Sequence, residues 1–279
     1  MNNMNGYELY IKEPNTIHPR ARVYFKTFHF DTKNKSKERL VRVYIPSTYD
    51  FYNPNKRFQC IYMLDGKNIF DDYTSFVGEW GVDETIEDMI DRHINDGFIV
   101  IGVDAPQDGF DRSLEMSPEG IEPMKQYDPR QEGYAHILGD FIFNVVKPDI
   151  DKTFFTSDKK VGVAGSSMGG LMALFLALEF PDKVEFSLPF SPAIFLFKWV
   201  SFKAYLNRKF NKHLPKMFFY VGGQGFEAVF VKKTQKVYDY LMERGYSHDH
   251  IKLIYDSDKE HNEKAWREYF PIMLERITR

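Results

Sequence analysis

The chain predicts an α/β fold: a mostly parallel central sheet of about eight strands, with helices on both faces and a small aromatic cap segment. Two observations carry this. Short continuous apolar runs recur along the chain, and the stretches between them place apolar residues at helical spacing, so the strands are buried on both faces by helices. A third is size: 279 residues can bury roughly three quarters of the unfolded surface in one core. No linker or internal repeat breaks the pattern, so residues 1–279 read as one domain.

The elements follow in order. "RVYFKTFHF" and "RLVRVYIP" flank the polar "DTKNKSKE" and read as a hairpin with a solvated loop. The strand "QCIYML" is followed by the helix-like "EWGVDETIEDMIDRH", where Ile86, Met89 and Ile90 share one face. Next come the strand "FIVIGV" and the helical "GYAHILGDFIFNVVKPDID", with Ile137, Leu138, Phe141, Ile142, Val145 and Val146 at helical spacing. The strand "VGVA" leads into "GGLMALFLALEF", and "VEFSLPF" forms the next strand. Residues 192–215, aromatic and basic, interrupt the alternation and read as a cap-like insertion over the sheet edge. The strand "MFFYVG", helix "VFVKKTQKVYDYLMERG", strand "IKLIYD" and helix "NEKAWREYFPIMLERI" complete the chain.

Composition narrows the function. With 37 basic and 40 acidic residues mixed along the chain and a net charge of -3, nothing draws a nucleic acid or a membrane surface. The single cysteine, Cys60, lies in an apolar run and excludes a disulfide within the chain. The N-terminal stretch has no apolar signal region and no span of about eighteen apolar residues occurs, so a cytoplasmic protein is expected. No metal-ligand spacing or cofactor motif stands out, and none is expected. His248 and His250 form an H-x-H that reads as exposed, His213 sits in the cap, and His18 and His29 precede the sheet.

The chemistry is carried by "VGVAGSSMGG", residues 161–170. Gly165-Ser166-Ser167-Met168-Gly169 matches G-x-S-x-G, and only Ser167 holds the central place. A nucleophile on a sharp strand-to-helix turn has strained backbone angles, so its neighbours two before and two after must be small. The helix that follows turns its N-terminal N–H groups toward the charge that would develop there. A serine hydroxyl needs a base oriented by an acid, in the chain order Ser, Asp/Glu, His for this arrangement. His261 follows the last strand in "SDKEHNE" and is the candidate base. Glu227 is the only carboxylate on the loop after "MFFYV"; Asp256 and Asp258 are alternatives, and Glu227 also suits a helix start. The oxyanion donors would be the N–H groups of Met168 and of Lys67 in "YMLDGKNIFDD", a stretch equally compatible with a plain Asp-Gly turn.

Together "YMLDGKNIFDD", "GEWGVDE", "VAGSSMGGLMAL", "FSPA", "YVGG" and "EHNEKAWREYFP" resemble the esterase family of α/β-hydrolases, whose members include enterochelin esterases, esterase D, feruloyl and acetylxylan esterases and mycolyltransferases. The resemblance runs from about Phe25 to the C-terminus. It implies an eight-stranded α/β-hydrolase sheet, Ser167 as nucleophile, His261 as base and the Lys67 and Met168 amides as oxyanion hole. It also implies that Asp65 and Trp80 line the acyl or alcohol pocket and that Arg112, in "DRSLEMSP", borders it. Where relatives often carry the acid, this chain has Gly225, with Glu227 two residues on. The expected activity is hydrolysis of a small carboxylic, sugar or siderophore-type ester through an acyl-enzyme. An acyltransferase with the same intermediate and an inactive hydrolase-fold binding protein are the competing readings, and a homodimer is compatible with either.

Overall fold

The computed structural model describes residues 4–32, 36–124, 132–210 and 215–278. Part of the expected "DTKNKSKE" loop, His213 and the end of the 192–215 segment lie outside these residues. Among the described residues nine strands form one sheet: β1 (Glu8–Leu9), β2 (Arg22–Asp31), β3 (Ser36–Ile45), β4 (Cys60–Leu64), β5 (Ile99–Val103), β6 (Val161–Ser166), β7 (Val184–Phe190), β8 (Lys216–Gly222) and β9 (Ile251–Asp256). Their order is β1-β2-β3-β5-β4-β6-β7-β8-β9. Six strands from β5 to β9 in that order run parallel, while β1, β2 and β3 are antiparallel to their neighbours. The sheet thus has one strand more than expected, the two-residue β1, which is exposed and pairs only with β2. Two residues give no period for a sequence reading to detect.

The buried runs behave as their composition demands. All five residues of β4 and of β5 are buried, which a parallel strand covered on both faces requires. Alternate residues feed two cores. Tyr62 and Leu64 join the core under α3 (Ala135–Phe141), α5 (Met168–Glu179) and α7 (Ala228–Glu243). Ile61 and Met63 join the core under α1 (Val82–Asp91) and α8 (Glu263–Thr278). The short α2 (Gly109–Glu115) packs on α3 and is tied to β3 by Arg39, whose guanidinium reaches Glu115 Oε2 at 2.8 Å. Helix α1 starts later than its apolar pattern suggests, because Gly81 takes φ 61° and stops any earlier turn. The long "GYAHILGDFIFNVVKPDID" stretch is helical from Ala135 onward as α3, a π-helical turn over Ile142–Val146 and α4 (Lys147–Thr153).

Within the cap segment, a short 3₁₀ turn over Ile194–Leu196 precedes α6 (Trp199–Lys209). Phe202, Tyr205 and Leu206 are buried, and Tyr205 stacks on Phe175 of α5. So α6 covers the outer helical layer, while Phe195, earlier in the segment, packs edge-on against Phe230 with ring centroids 4.7 Å apart. That first part approaches the carboxyl ends of the strands, where a parallel sheet presents ligands, with Ala193 N donating to Ser167 O.

Candidate active site

Ser167 stands between β6 and α5 with φ 58° and ψ -117°, a conformation a non-glycine residue adopts only under constraint. The constraint is visible. Ser167 N donates to Phe190 O at 2.9 Å, and Ala193 N donates to Ser167 O at 3.0 Å, so the end of β7 grips the turn from both sides. The glycines are required by close backbone approach: a Cβ on Gly165 would lie 2.6 Å from the carbonyl of Gly169, and one on Gly169 would lie 2.9 Å from Asp65 Oδ2. Gly170 is equally confined, with its virtual Cβ 2.3 Å from Phe190 O. The three glycines that flank the serine, Gly165, Gly169 and Gly170, are therefore a packing requirement of the turn and its surroundings.

The candidate oxyanion donors converge on the same edge. Met168 is the first residue of α5, whose opening N–H groups have no intrahelical acceptor. Lys67 lies in the 3₁₀ turn Gly66–Asn68, just after Asp65, which takes φ 58°. A Cβ on Gly66 would meet the Gly102 backbone at 2.6 Å, so glycine lets this loop lie directly on β5. Neither the Met168 nor the Lys67 N–H donates to a protein acceptor among the described residues. The turn is pinned from behind: Thr74 Oγ1 donates to Lys67 O at 2.7 Å, and Trp80 N donates to Asn68 O at 2.9 Å.

His261 sits in the loop between β9 and α8, and its Nδ1 is hydrogen-bonded to Glu227 Oε2. Glu227 is fully buried and closes the 3₁₀ turn Gly225–Glu227 after β8. Its second oxygen accepts from Ser191 Oγ and from Gly222 N, the latter at 2.9 Å. Ser191 Oγ in turn accepts from Trp266 Nε1 at 3.1 Å. A carboxylate so thoroughly bonded is held in one orientation without an unsatisfied oxygen. The imidazole ring is fixed as well: it stacks on Phe230 at 4.3 Å between centroids, and Phe226 and Trp266 meet it edge-on at 5.5 and 5.0 Å. With Nδ1 engaged by a carboxylate, the Nδ1–H tautomer is favoured and Nε2 is left as the basic nitrogen. The Ser167 hydroxyl has no hydrogen bond of its own among the described residues.

The remaining predicted residues fall in two places. Asp65 is bound by Arg112 of α2 in a bidentate pair, 2.6 Å to Nε and 2.7 Å to Nη2. This pair sits against Gly169, two residues from the serine. Trp80 is 3% exposed and packs against Phe190, Trp266 and Phe270 at 4.8 to 5.8 Å, so its ring supports the floor beneath Ser191 and His261. Of the alternative acids, Asp256 accepts from Tyr269 OH and from Asp258 N at 3.0 Å, with no bond to His261. The Tyr269 hydroxyl holds the Asp256 carboxyl below its ordinary range. The H-x-H pair is elsewhere: His250 touches Ser247 and His248 touches Tyr238 in the turn that precedes β9.

Three residues of this site carry no signal that a single sequence exposes. Ser191 and Trp266 lie inside "FSPA" and "EHNEKAWREYFP", yet their function as supports for Glu227 depends on three segments meeting. Glu263, 8% exposed at the start of α8, receives Asn68 Nδ2 at 3.4 Å. Burial raises its carboxyl above the ordinary range, Asp65 adds repulsion, and His261 and Arg112 oppose the rise.

No helix among the described residues is long and apolar enough to cross a membrane. Residues 33–277 match the model of the family described as "Putative esterase". Over 114 residues the chain is 26% identical to protein usf of Aquifex pyrophilus, covering 40% of this chain and 46% of that one, so the match spans about half the relative's length. Among solved structures, the BES protein from Bacillus cereus shares the fold with a TM-score of 0.67 and 20% identity, over 97% of this chain and 99% of that chain. The siderophore hydrolase EstA from Aspergillus nidulans gives a TM-score of 0.67 and 18% identity, over 91% and 95%. At these identities the likeness to the two structures is one of fold alone. The match over residues 33–277 goes further: this chain belongs to that esterase family.

Proposed function

We propose that the chain is a serine carboxylic ester hydrolase, residues 1–279 forming one catalytic domain that works through an acyl-enzyme. The observation that carries the reading is the Glu227–His261 bond at the same sheet edge as a serine held at φ 58°. Ser167 Oγ attacks the ester carbonyl while His261 Nε2 takes its proton. Glu227, bonded to Nδ1–H, keeps the ring in the right tautomer and stabilises the imidazolium. The carbonyl oxygen becomes an oxyanion that accepts from the Met168 and Lys67 N–H groups, which have no protein acceptor among the described residues to compete for them. His261 then gives its proton to the leaving alcohol, and a water activated by the same nitrogen releases the acid and restores Ser167.

A small carboxylic, sugar or siderophore-type ester suits the site. EstA is named a siderophore hydrolase, and Phe226, 61% exposed beside the His261 ring, and Phe76, 80% exposed beyond the Lys67 turn, offer open aromatic faces at the rim. Reaction with a fluorophosphonate probe tests the proposal, since only a serine activated by its base reacts quickly. Rapid labelling that disappears in Ser167→Ala and in His261→Ala is expected. An unlabelled wild-type protein would instead mark a hydrolase scaffold used for binding.

A further inference from the structure

Beneath the catalytic edge, three carboxylates lack the partners that Glu227 has. Glu79 and Asp83 are 4% and 0% exposed, and Glu84 beside them is half-buried. One oxygen from each lies within 4.8 Å of those of the other two. Asp83 Oδ2 accepts from His18 N at 2.7 Å. Arg267 of α8 approaches Glu79 Oε1 at 3.5 Å and Glu84 Oε1 at 3.6 Å, longer than ordinary hydrogen bonds. The other oxygens, Glu79 Oε2, Asp83 Oδ1 and Glu84 Oε2, are buried with no hydrogen-bond partner. A helix start favours acids, which accounts for Asp83 and Glu84 in the first turn of α1. It does not account for Glu79, which precedes the helix, nor for three buried oxygens without donors.

We propose that Glu79, Asp83 and Glu84 bind one hard divalent cation, of the calcium and magnesium class, through their carboxylate oxygens. The donor set is all oxygen, with no histidine or cysteine, which selects this class over zinc or copper. The charge also fits: with all three acids deprotonated, as ligands must be, they and the one guanidinium leave two negative charges, which a divalent cation balances. Backbone carbonyls and waters would complete the coordination, as is usual for these ions. The site would fasten the N-terminal segment at His18 and the 79–84 stretch to one point beside α8. Trp80, between two of the ligands in sequence, packs on Trp266, which touches both His261 and Ser191. The cation is thus a structural clamp under the catalytic edge and takes no part in the ester chemistry.

The test is equilibrium dialysis of the full chain against Ca²⁺, Mg²⁺ or Mn²⁺, with elemental analysis, alongside thermal melts with each ion and with a chelator. One equivalent of one of these ions per chain is expected, with a melting temperature raised by roughly 5 °C at hundredfold excess over Kd. Glu84→Gln, at the most exposed of the three positions, should weaken binding tenfold or more. Asp83→Asn should abolish it and melt above wild type in chelator at neutral pH, because the native state no longer has to take up a proton on a buried carboxyl. If no ion binds in stoichiometric amount up to millimolar concentration, or if both variants bind as wild type does, the proposal is wrong.

Discussion

The loops that leave β8 and β9 both carry carboxylates toward His261, and they treat them differently. After β8, the tight turn Gly225–Glu227 buries Glu227 completely and surrounds it with His261, Ser191 and the Gly222 amide. After β9, Asp256 is drawn off by Tyr269, while Glu263, two residues past His261, accepts a long contact from Asn68 and a bond from its own backbone N–H. Proximity along the chain to the histidine is therefore no guide to which acid serves it. What decides is whether donors from other segments converge on the carboxylate, since a buried acid without them returns its desolvation cost as a raised pKa.

The largest expected effect concerns the serine that the two loops serve. Ser167→Ala should lower kcat on a p-nitrophenyl ester by about 10⁵-fold or more, leaving the background that binding and oxyanion donors provide. Full turnover by that variant would remove the basis for comparing the loops at all. Next, Glu227→Gln should lose roughly 10⁴-fold in kcat, because a carboxamide cannot hold the imidazole in the working tautomer. Asp256→Asn on the neighbouring loop should stay within about threefold. A reversal of these two magnitudes, measured on the same substrate, would assign the acid to β9 instead.

Ser191→Ala sharpens the comparison from the side of the support. It removes a donor to Glu227 and the acceptor of the buried Trp266 N–H. Leaving such a group unpaired costs about 1–3 kcal/mol in stability, and kcat should fall about tenfold with KM little changed. Ser191→Thr, which keeps the hydroxyl, should recover part of the lost rate. A variant that is destabilised yet fully active would make Ser191 a core residue without influence on the acid.

These differences also explain what a single sequence could reveal. Gly165 is legible because its constraint is local: the nearest atoms that forbid a Cβ there all belong to a residue four positions away, whereas Ser167 and Gly169 are confined by Phe190, Ala193 and Asp65 and are legible only through the spacing they share with it. The parallel strands are legible because burial on both faces leaves a continuous apolar run, as in β4 and β5. The choice among Glu227, Asp256 and Asp258 is not settled by the same means, because it depends on a turn that sets Glu227 against Gly222, whose virtual Cβ lies 2.9 Å from Glu227 Cγ. Ser191, Trp266 and the Glu79, Asp83 and Glu84 group are harder still, since each acquires meaning only from residues distant in the chain. Trp80 shows the complementary problem: a residue in a family motif whose ring contacts, once located, are those of the core.

The smallest effect is expected at Glu263, whose buried carboxyl has weaker donors than that of Glu227. Its folded carboxyl is raised above the ordinary value, with burial as the main cause. Between the unfolded and folded values the native state therefore holds more protons than the unfolded chain, and stability from this group falls as pH rises through that window. Glu263→Gln keeps an oxygen for Asn68 and removes the charge. Its melting temperature should match that of wild type near pH 4 and exceed it at pH 8. Turnover should stay within about threefold, in contrast to Glu227→Gln. A variant less stable than wild type at pH 8 would mean that Arg112 and His261 more than offset the burial of a charged Glu263, and the contrast between the two loops would then lie in geometry alone.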